Sequence, residues 1–220
     1  MWLSMFIHSL LNLILPARCF GCGSGGDYLC TACLQAAPTA EIDDTGVEAL
    51  FDYRHPPIQR AIWALKYRHA SSIADIFAGA LGARLLDEVA DERWVRPGRG
   101  TPVIITGVPL WPARERWRGF NQAAALAKSV AKKSPFPLEF RSDILIKIKN
   151  TPPQVSLNSR ATRQKNVRGA FAAGRPAAVA GRDIIVLDDV TTTGATLTEA
   201  GRALGAVGVG SVFTIAVARG

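Results

Sequence analysis

Apolar residues along this chain follow two patterns. Unbroken or nearly unbroken runs, Val103-Ile-Ile-Thr-Gly-Val108, Asp183-Ile-Ile-Val-Leu187 and Val212-Phe-Thr-Ile-Ala-Val217, predict short strands buried on both faces. Val47–Tyr53 predicts another strand. Elsewhere the apolar positions fall three or four apart: Ile58, Ile62 and Leu65 within Pro57–Tyr67, then Ile73, Phe77, Leu81 and Leu85. Ala124, Ala127 and Val130, and the stretch Gly194–Leu204, repeat that helical spacing. Strands alternating with helices predict an α/β fold, a parallel sheet with helices on both faces. Such sheets bind ligands at the carboxyl ends of their strands, so chemistry is expected just after Val108 and just after Leu187.

Three segments fall outside this alternation. In the first fifteen residues Ser4, His8 and Asn12 recur every four positions, opposite Leu3, Ile7, Leu10 and Ile14, and Pro16 ends the pattern. No Lys or Arg precedes the apolar stretch and no small-x-small site follows it. The expectation is therefore a docking amphipathic helix rather than an export signal, and a cytoplasmic chain. Asp87–Gly100, acidic and then rich in Pro and Gly, predicts a surface loop or internal boundary. Thr151–Phe171 carries no clear periodicity; Pro152-Pro153 and the polar run Asn158–Asn166 predict a loop arching over the sheet.

Composition narrows the class. The chain has 220 residues, 48% hydrophobic and 20% charged, as ordinary globular proteins do. No apolar run reaches the ~18 residues that would cross a bilayer, so no membrane span is expected. The formal charge of +8 is unevenly placed. Residues 101–170 hold thirteen basic side chains against Glu115, Glu139 and Asp143, and the rest of the chain is slightly acidic. Concentrated positive charge draws polyanions, either nucleic acid or a small, highly phosphorylated substrate.

All four cysteines fall within fifteen residues, as Cys19-x2-Cys22 and Cys30-x2-Cys33. That spacing lets the four thiolates close on one tetrahedral ion at ~2.3 Å, with glycines between them permitting tight turns. The expectation is structural zinc: four thiolates leave no open coordination position for substrate. The predicted organisation is a module over residues 1–40, made of the amphipathic helix and the four-cysteine zinc site, followed by one domain over residues 41–220.

The richest segment is Ile184-Ile-Val-Leu-Asp-Asp-Val-Thr-Thr-Thr-Gly-Ala-Thr196. Apolar residues deliver Asp188 and Asp189 to the mouth of the sheet, and threonines and a glycine then open a helix. Free N–H groups at a helix start attract phosphate. Thr192, Thr193 and Thr196 add hydroxyl donors, and Gly194 lets the backbone close on the anion. Carboxylates beside a phosphate cradle suit a ribose diol, gripped directly or through Mg²⁺. No Lys follows Gly194, so this is not a Walker P-loop.

This segment resembles the phosphoribosyl-pyrophosphate (PRPP) signature of type I phosphoribosyltransferases. The whole chain resembles the ComF family, through the cysteines, Leu65-Lys66-Tyr67, Val108-Pro-Leu110 and Arg116-Trp-Arg-Gly-Phe-Asn-Gln122. Thr151-x2-Gln154-x2-Leu157-x2-Arg160, Asn166-Val167 and Ala170-Phe171 extend the likeness. The resemblance implies a type I phosphoribosyltransferase-like sheet. Thr192, Thr193, Gly194, Ala195 and Thr196 would hold the 5-phosphate, and Asp188 and Asp189 the ribose hydroxyls. Arg116 and Arg118 would face the pyrophosphate, while Gln154, Arg160 and Asn166 would supply polar contacts from the arching segment. It further implies Mg²⁺ with PRPP, and a link to DNA uptake in natural transformation. Thr191 stands where the signature is usually apolar. Thr192 stands where purine-salvage relatives carry an acid, which argues against a purine acceptor. Two further readings are a factor that handles single-stranded DNA beside competence proteins, and a PRPP sensor without turnover.

Overall fold

The structure, a computed structural model, describes residues 17–67, 71–90, 101–151 and 160–220. The expected helix over residues 1–15, Gln154, and most of the expected boundary loop lie outside the described residues.

The chain enters through the short α1 (Thr31–Gln35) and β1 (Glu48–Asp52), then α2 (Pro56–Tyr67) and α3 (Ser71–Ala90). The acidic residues from Asp87, expected to begin a loop, instead continue α3. Glu88 is buried one turn beyond Arg84 and ion-paired with it at 2.5 Å, and this local pairing offsets the cost of burying the acid. Next come β2 (Val103–Gly107), α4 (Pro112–Arg118), α5 (Gln122–Lys133), β3 (Leu138–Phe140) and β4 (Leu145–Lys147). Then α6 (Arg160–Val167) and β5 (Phe171–Ala173) lead to α7 (Pro176–Val179), β6 (Asp183–Thr191), α8 (Ala195–Gly205) and β7 (Ser211–Arg219). One of these departs from the sequence-based reading: Arg160–Val167, expected as loop, is helical. The short strands β4 and β5, which no pattern predicts, pair antiparallel in a two-stranded sheet apart from the main one.

The main sheet is parallel throughout, in the order β1-β7-β6-β2-β3. Its two faces are both covered, which accounts for the unbroken apolar runs. Ile105, Ile185, Leu187, Ile215 and Val217 look toward α2, α3 and α5, with Ile58, Ile62, Leu65 and Phe77 fully buried against them. The alternate residues Ile104, Ile184, Val186 and Ala216 look toward α8 and the β4–β5 pair. Each fully buried aliphatic side chain here contributes roughly 1.5–3 kcal/mol.

Strand order positions the site. From β2 the chain moves through α5 to β3 on one side; from β6 it moves through α8 to β7 on the other. The order therefore reverses between β2 and β6, so no connection covers the crevice at their carboxyl ends.

Candidate functional site

At that crevice β6 outruns its neighbour. β2 stops opposite Leu187, where Val108 N–H donates to the Leu187 carbonyl at 2.9 Å, while β6 runs on to Thr191 paired only with β7. Asp188 and Asp189 thus lie on the stretch of the extended strand that β2 no longer pairs with, not in a loop after it. Alternation of strand side chains sends Asp189 toward the α2 face and Asp188 toward the α8 face. Both border one cavity of about 240 Å³ that wraps around the strand edge.

α2 answers Asp189. Its buried residues Ile62 and Leu65 press the helix onto the sheet, and its last turn carries Lys66 inward, Nζ 2.8 Å from Asp189 Oδ2. Burial works against both charges, but the pair outweighs it: Lys66 is held above its ordinary pKa and Asp189 below the usual carboxylate range. Asp188 accepts from the Asp189 N–H at 2.9 Å. Burial, and then the neighbouring Asp189 charge, push its carboxyl well above the carboxylate range. In the sequence Lys66 stands out only as part of a resemblance, without a role.

Beyond Thr191 the backbone turns through Gly194, whose φ of +72° a side chain would strain, into α8. A Cβ there would also press on Thr45 and Val47 at 3.0–3.1 Å. Two helices start at this crevice and they start differently. Asn121 caps α5, accepting from Ala123 N–H at 2.9 Å and Ala124 N–H at 3.1 Å, and donates to the Val108 carbonyl at 3.0 Å. Glycine at the start of α8 has no side chain to cap with, and a helix N-terminus of this kind attracts anions. Beside them Thr192 Oγ1 and Thr193 Oγ1 are buried with no hydrogen-bond partner among the described residues. Such orphaned donors are costly in a folded protein and call for a ligand. Thr196 borders the cavity itself; Ala195 opens α8 and is buried.

Cations face the acids across the cavity: Arg114 and Arg118 from α4, and Lys147 from β4. Arg114 and Arg118 lie one turn apart on one helical face. Arg116, two residues from each, is exposed and does not border the cavity. Arg118 lies over the Tyr67 ring, 5.3 Å from its centroid, and donates to Gln122. Burial, and then Arg114, lower the pKa of Lys147. Val167 of α6 reaches the cavity, with Asn166 beside it in the chain. Gln154 and the Arg160 side chain lie outside the described residues. Arg114 is legible in the sequence only as part of a basic group. Lys147 is likewise legible only as part of a basic group, and no pattern predicts the strand pair that delivers it.

The four cysteines converge. Their sulfurs lie within 4.8 Å of one another, with Cys19–Cys30 at 3.6 Å and Cys22–Cys30 at 3.8 Å. Thiolates ~2.3 Å from a tetrahedral ion stand ~3.8 Å apart, so the spacing fits a metal site. A Cβ on Gly21 would sit 2.6 Å from Cys33 Sγ, which explains the glycine between the first two cysteines. Burial opposes ionisation of Cys19, yet the amides of Cys30, Cys22 and Gly21 bring its pKa to about 6. Cys33, hydrogen-bonded to Cys30 and then to Cys19 and Cys22, is pushed up to about 12. Among the described residues no helix is long and apolar enough to cross a membrane.

Residues 118–220 match the phosphoribosyl transferase domain family. Over 170 residues the chain is 34% identical to the DNA utilization protein YhgH of Escherichia coli K12, covering 77% of this chain and 68% of that protein. Over 119 residues it is 33% identical to Competence protein F of Haemophilus influenzae, covering 54% and 51% of the two chains. A similar solved structure is that of the allosteric regulatory enzyme of purine biosynthesis, at 21% identity and a TM-score of 0.37. That match covers 66% of this chain and 26% of the enzyme.

Proposed function

The chain belongs to the ComF family, and from that premise we propose that it binds PRPP, or a related phosphorylated ribose, and passes the phosphoribosyl group to an acceptor in the service of DNA use. The observation that carries this reading is the acid pair and Thr196 bordering one cavity, where α8 starts without a side-chain cap and the Thr192 and Thr193 hydroxyls just before it are buried without a partner among the described residues.

In this proposal Thr192, Thr193, Gly194, Ala195 and Thr196 take the 5-phosphate and Asp188 and Asp189 take the ribose hydroxyls. Arg118 faces the pyrophosphate, joined by Arg114 and Lys147; Arg116 is too far around its helix to join them. As the pyrophosphate departs, positive charge gathers on the sugar, which the acids favour, while the cations hold the departing anion. A donor preset for that developing charge is worth ~3 kcal/mol of barrier. Two neighbouring carboxylates are hard oxygen ligands that fit Mg²⁺, which when bound would offset charge on the pyrophosphate. Four converging thiols fit structural zinc, folding the module over residues 1–40 in a reducing cytoplasm.

Calorimetry with PRPP and Mg²⁺ tests the site. Binding to the native chain, lost in Asp188→Asn with Asp189→Asn and in Asp188→Asn alone while the fold is kept, is the expected outcome; unchanged affinity sinks the assignment. Pyrophosphate release with some acceptor establishes transfer, whereas tight PRPP binding without release from a broad panel favours a sensor. A second reading, handling of single-stranded DNA, is favoured by the exposed rings of Trp63, Tyr67 and Trp117 near the cationic cavity. Affinity for an oligonucleotide that falls steeply with salt and ignores the acid-pair substitutions supports that alternative.

A further inference from the structure

We propose that Lys66 stands in for a divalent cation at the Asp188–Asp189 pair in the ligand-free protein, and that a metal ion enters only as the ammonium leaves. The proposal deepens the reading above and rests on it for the identity of the ligand.

Three observations carry it. Lys66 is held in place rather than free to wander: Ala61, Ile62, Ala64 and Leu65 around it are buried, and its own side chain is 22% exposed. Its ammonium lies 2.8 Å from Asp189 Oδ2, and Asp189 is almost wholly buried, so each depends on the other for its charge. An ion coordinated by Asp189 would sit ~2.1 Å from a carboxylate oxygen that the ammonium already occupies. Two cations cannot share that one oxygen without strong repulsion. The third observation concerns where the ammonium can go. The other side of the cavity is lined by Arg114, Arg118 and Lys147, which repel it. Among the described residues lining the cavity Asp188 is the one other acid, and the metal would claim it too, so an incoming polyanion is what gives Lys66 a new partner. Metal and phosphorylated ligand therefore bind together, each helping the other, and neither binds well alone.

The test uses Mn²⁺ as a spectroscopic probe on the whole chain, with and without inorganic pyrophosphate. The native chain is expected to bind Mn²⁺ weakly alone and more tightly with pyrophosphate. In Lys66→Gln, which keeps an amide donor for Asp189 but removes the charge, Mn²⁺ alone should bind at least about tenfold more tightly. The gain from pyrophosphate should shrink in that variant. Lys66→Met gives a second reading if the glutamine variant folds poorly, and Lys66→Arg, which keeps the charge, should behave as the native chain does. Equal Mn²⁺ affinity in the native and charge-removed variants, including no binding in either, overturns the proposal. Calorimetry of the native chain with PRPP separates the two ideas. A Mn²⁺ gain without PRPP binding sinks the PRPP reading and leaves the lysine's role standing.

Discussion

At the scale of single residues, the site stores cost that a ligand would relieve. Thr192 and Thr193 keep buried hydroxyl oxygens without partners among the described residues, and each such group costs about 1–3 kcal/mol. Valine has the same shape without the hydroxyl. Thr192→Val or Thr193→Val should therefore leave the melting temperature unchanged or raised, while PRPP affinity falls about tenfold by calorimetry. A purely structural loop would show no loss of affinity. The two arginines inferred from the family resemblance separate in the same assay. Arg118→Ala should weaken pyrophosphate binding by about 1.5–3 kcal/mol, the worth of a charged hydrogen bond, and Arg116→Ala should leave it unchanged. The acid pair, the threonines and Gly194 are legible in the sequence because they are contiguous. Their chemistry needs only that a strand end where a helix begins.

Elements bring those residues to working positions, and their joints are specific. A Cβ at Gly107 would overlap the Ala123 backbone, so α5 lies directly on the end of β2 because that residue is glycine. Gly107→Ala should cost at least about 1–3 kcal/mol in denaturant unfolding, as overpacking does, and splay the crevice mouth. Asn121→Ala removes the α5 cap and the tie to Val108, and should cost about 1–2 kcal/mol in the same measurement. Glu199 on α8 accepts from Arg202 and from the Gly169 N–H at 2.7 Å, tying the chain between α6 and β5 to the helix. The Arg202 hydrogen bond outweighs burial and the Gly169 amide adds to it, holding Glu199 below its ordinary pKa. A depressed folded pKa gives stability that is present above the unfolded value and lost as pH falls through the folded one. Glu199→Gln should therefore be less stable than the native chain at neutral pH, with the difference closing below about pH 4. A gap that persists in acid would show that the charge is irrelevant. Apolar patterning predicts β2, α5 and the start of α8, but not α4, the β4–β5 pair or α6, which are short, polar or held by distant partners.

For the whole molecule, the four-cysteine module packs against α2, with Cys19 in the same buried cluster as Ile58 and Leu65. Removing metal with a strong chelator should thus lower the melting temperature of the entire chain, not of the module alone. An unchanged melt would mean the thiols hold no structural ion. What the sequence determined by itself is whatever local order can encode. Strands buried on both faces follow from unbroken apolar runs, the convergence of four thiols from paired two-residue spacings, and the candidate anion turn from acids, threonines and glycine in succession. Tertiary structure alone decided which cations meet those acids. Lys66 reaches Asp189 because α2 packs on the face toward which strand alternation turns Asp189, and Asp188 looks the other way. Arg114 and Arg118 border the cavity and Arg116 does not, because residues four apart share one face of α4 and the residue between them points elsewhere. Lys147 arrives on a two-stranded sheet outside the main one, whose strands, Leu145–Lys147 and Phe171–Ala173, lie far apart in the chain. Contacts between residues far apart in the chain depend on register and packing, which no short stretch of sequence carries.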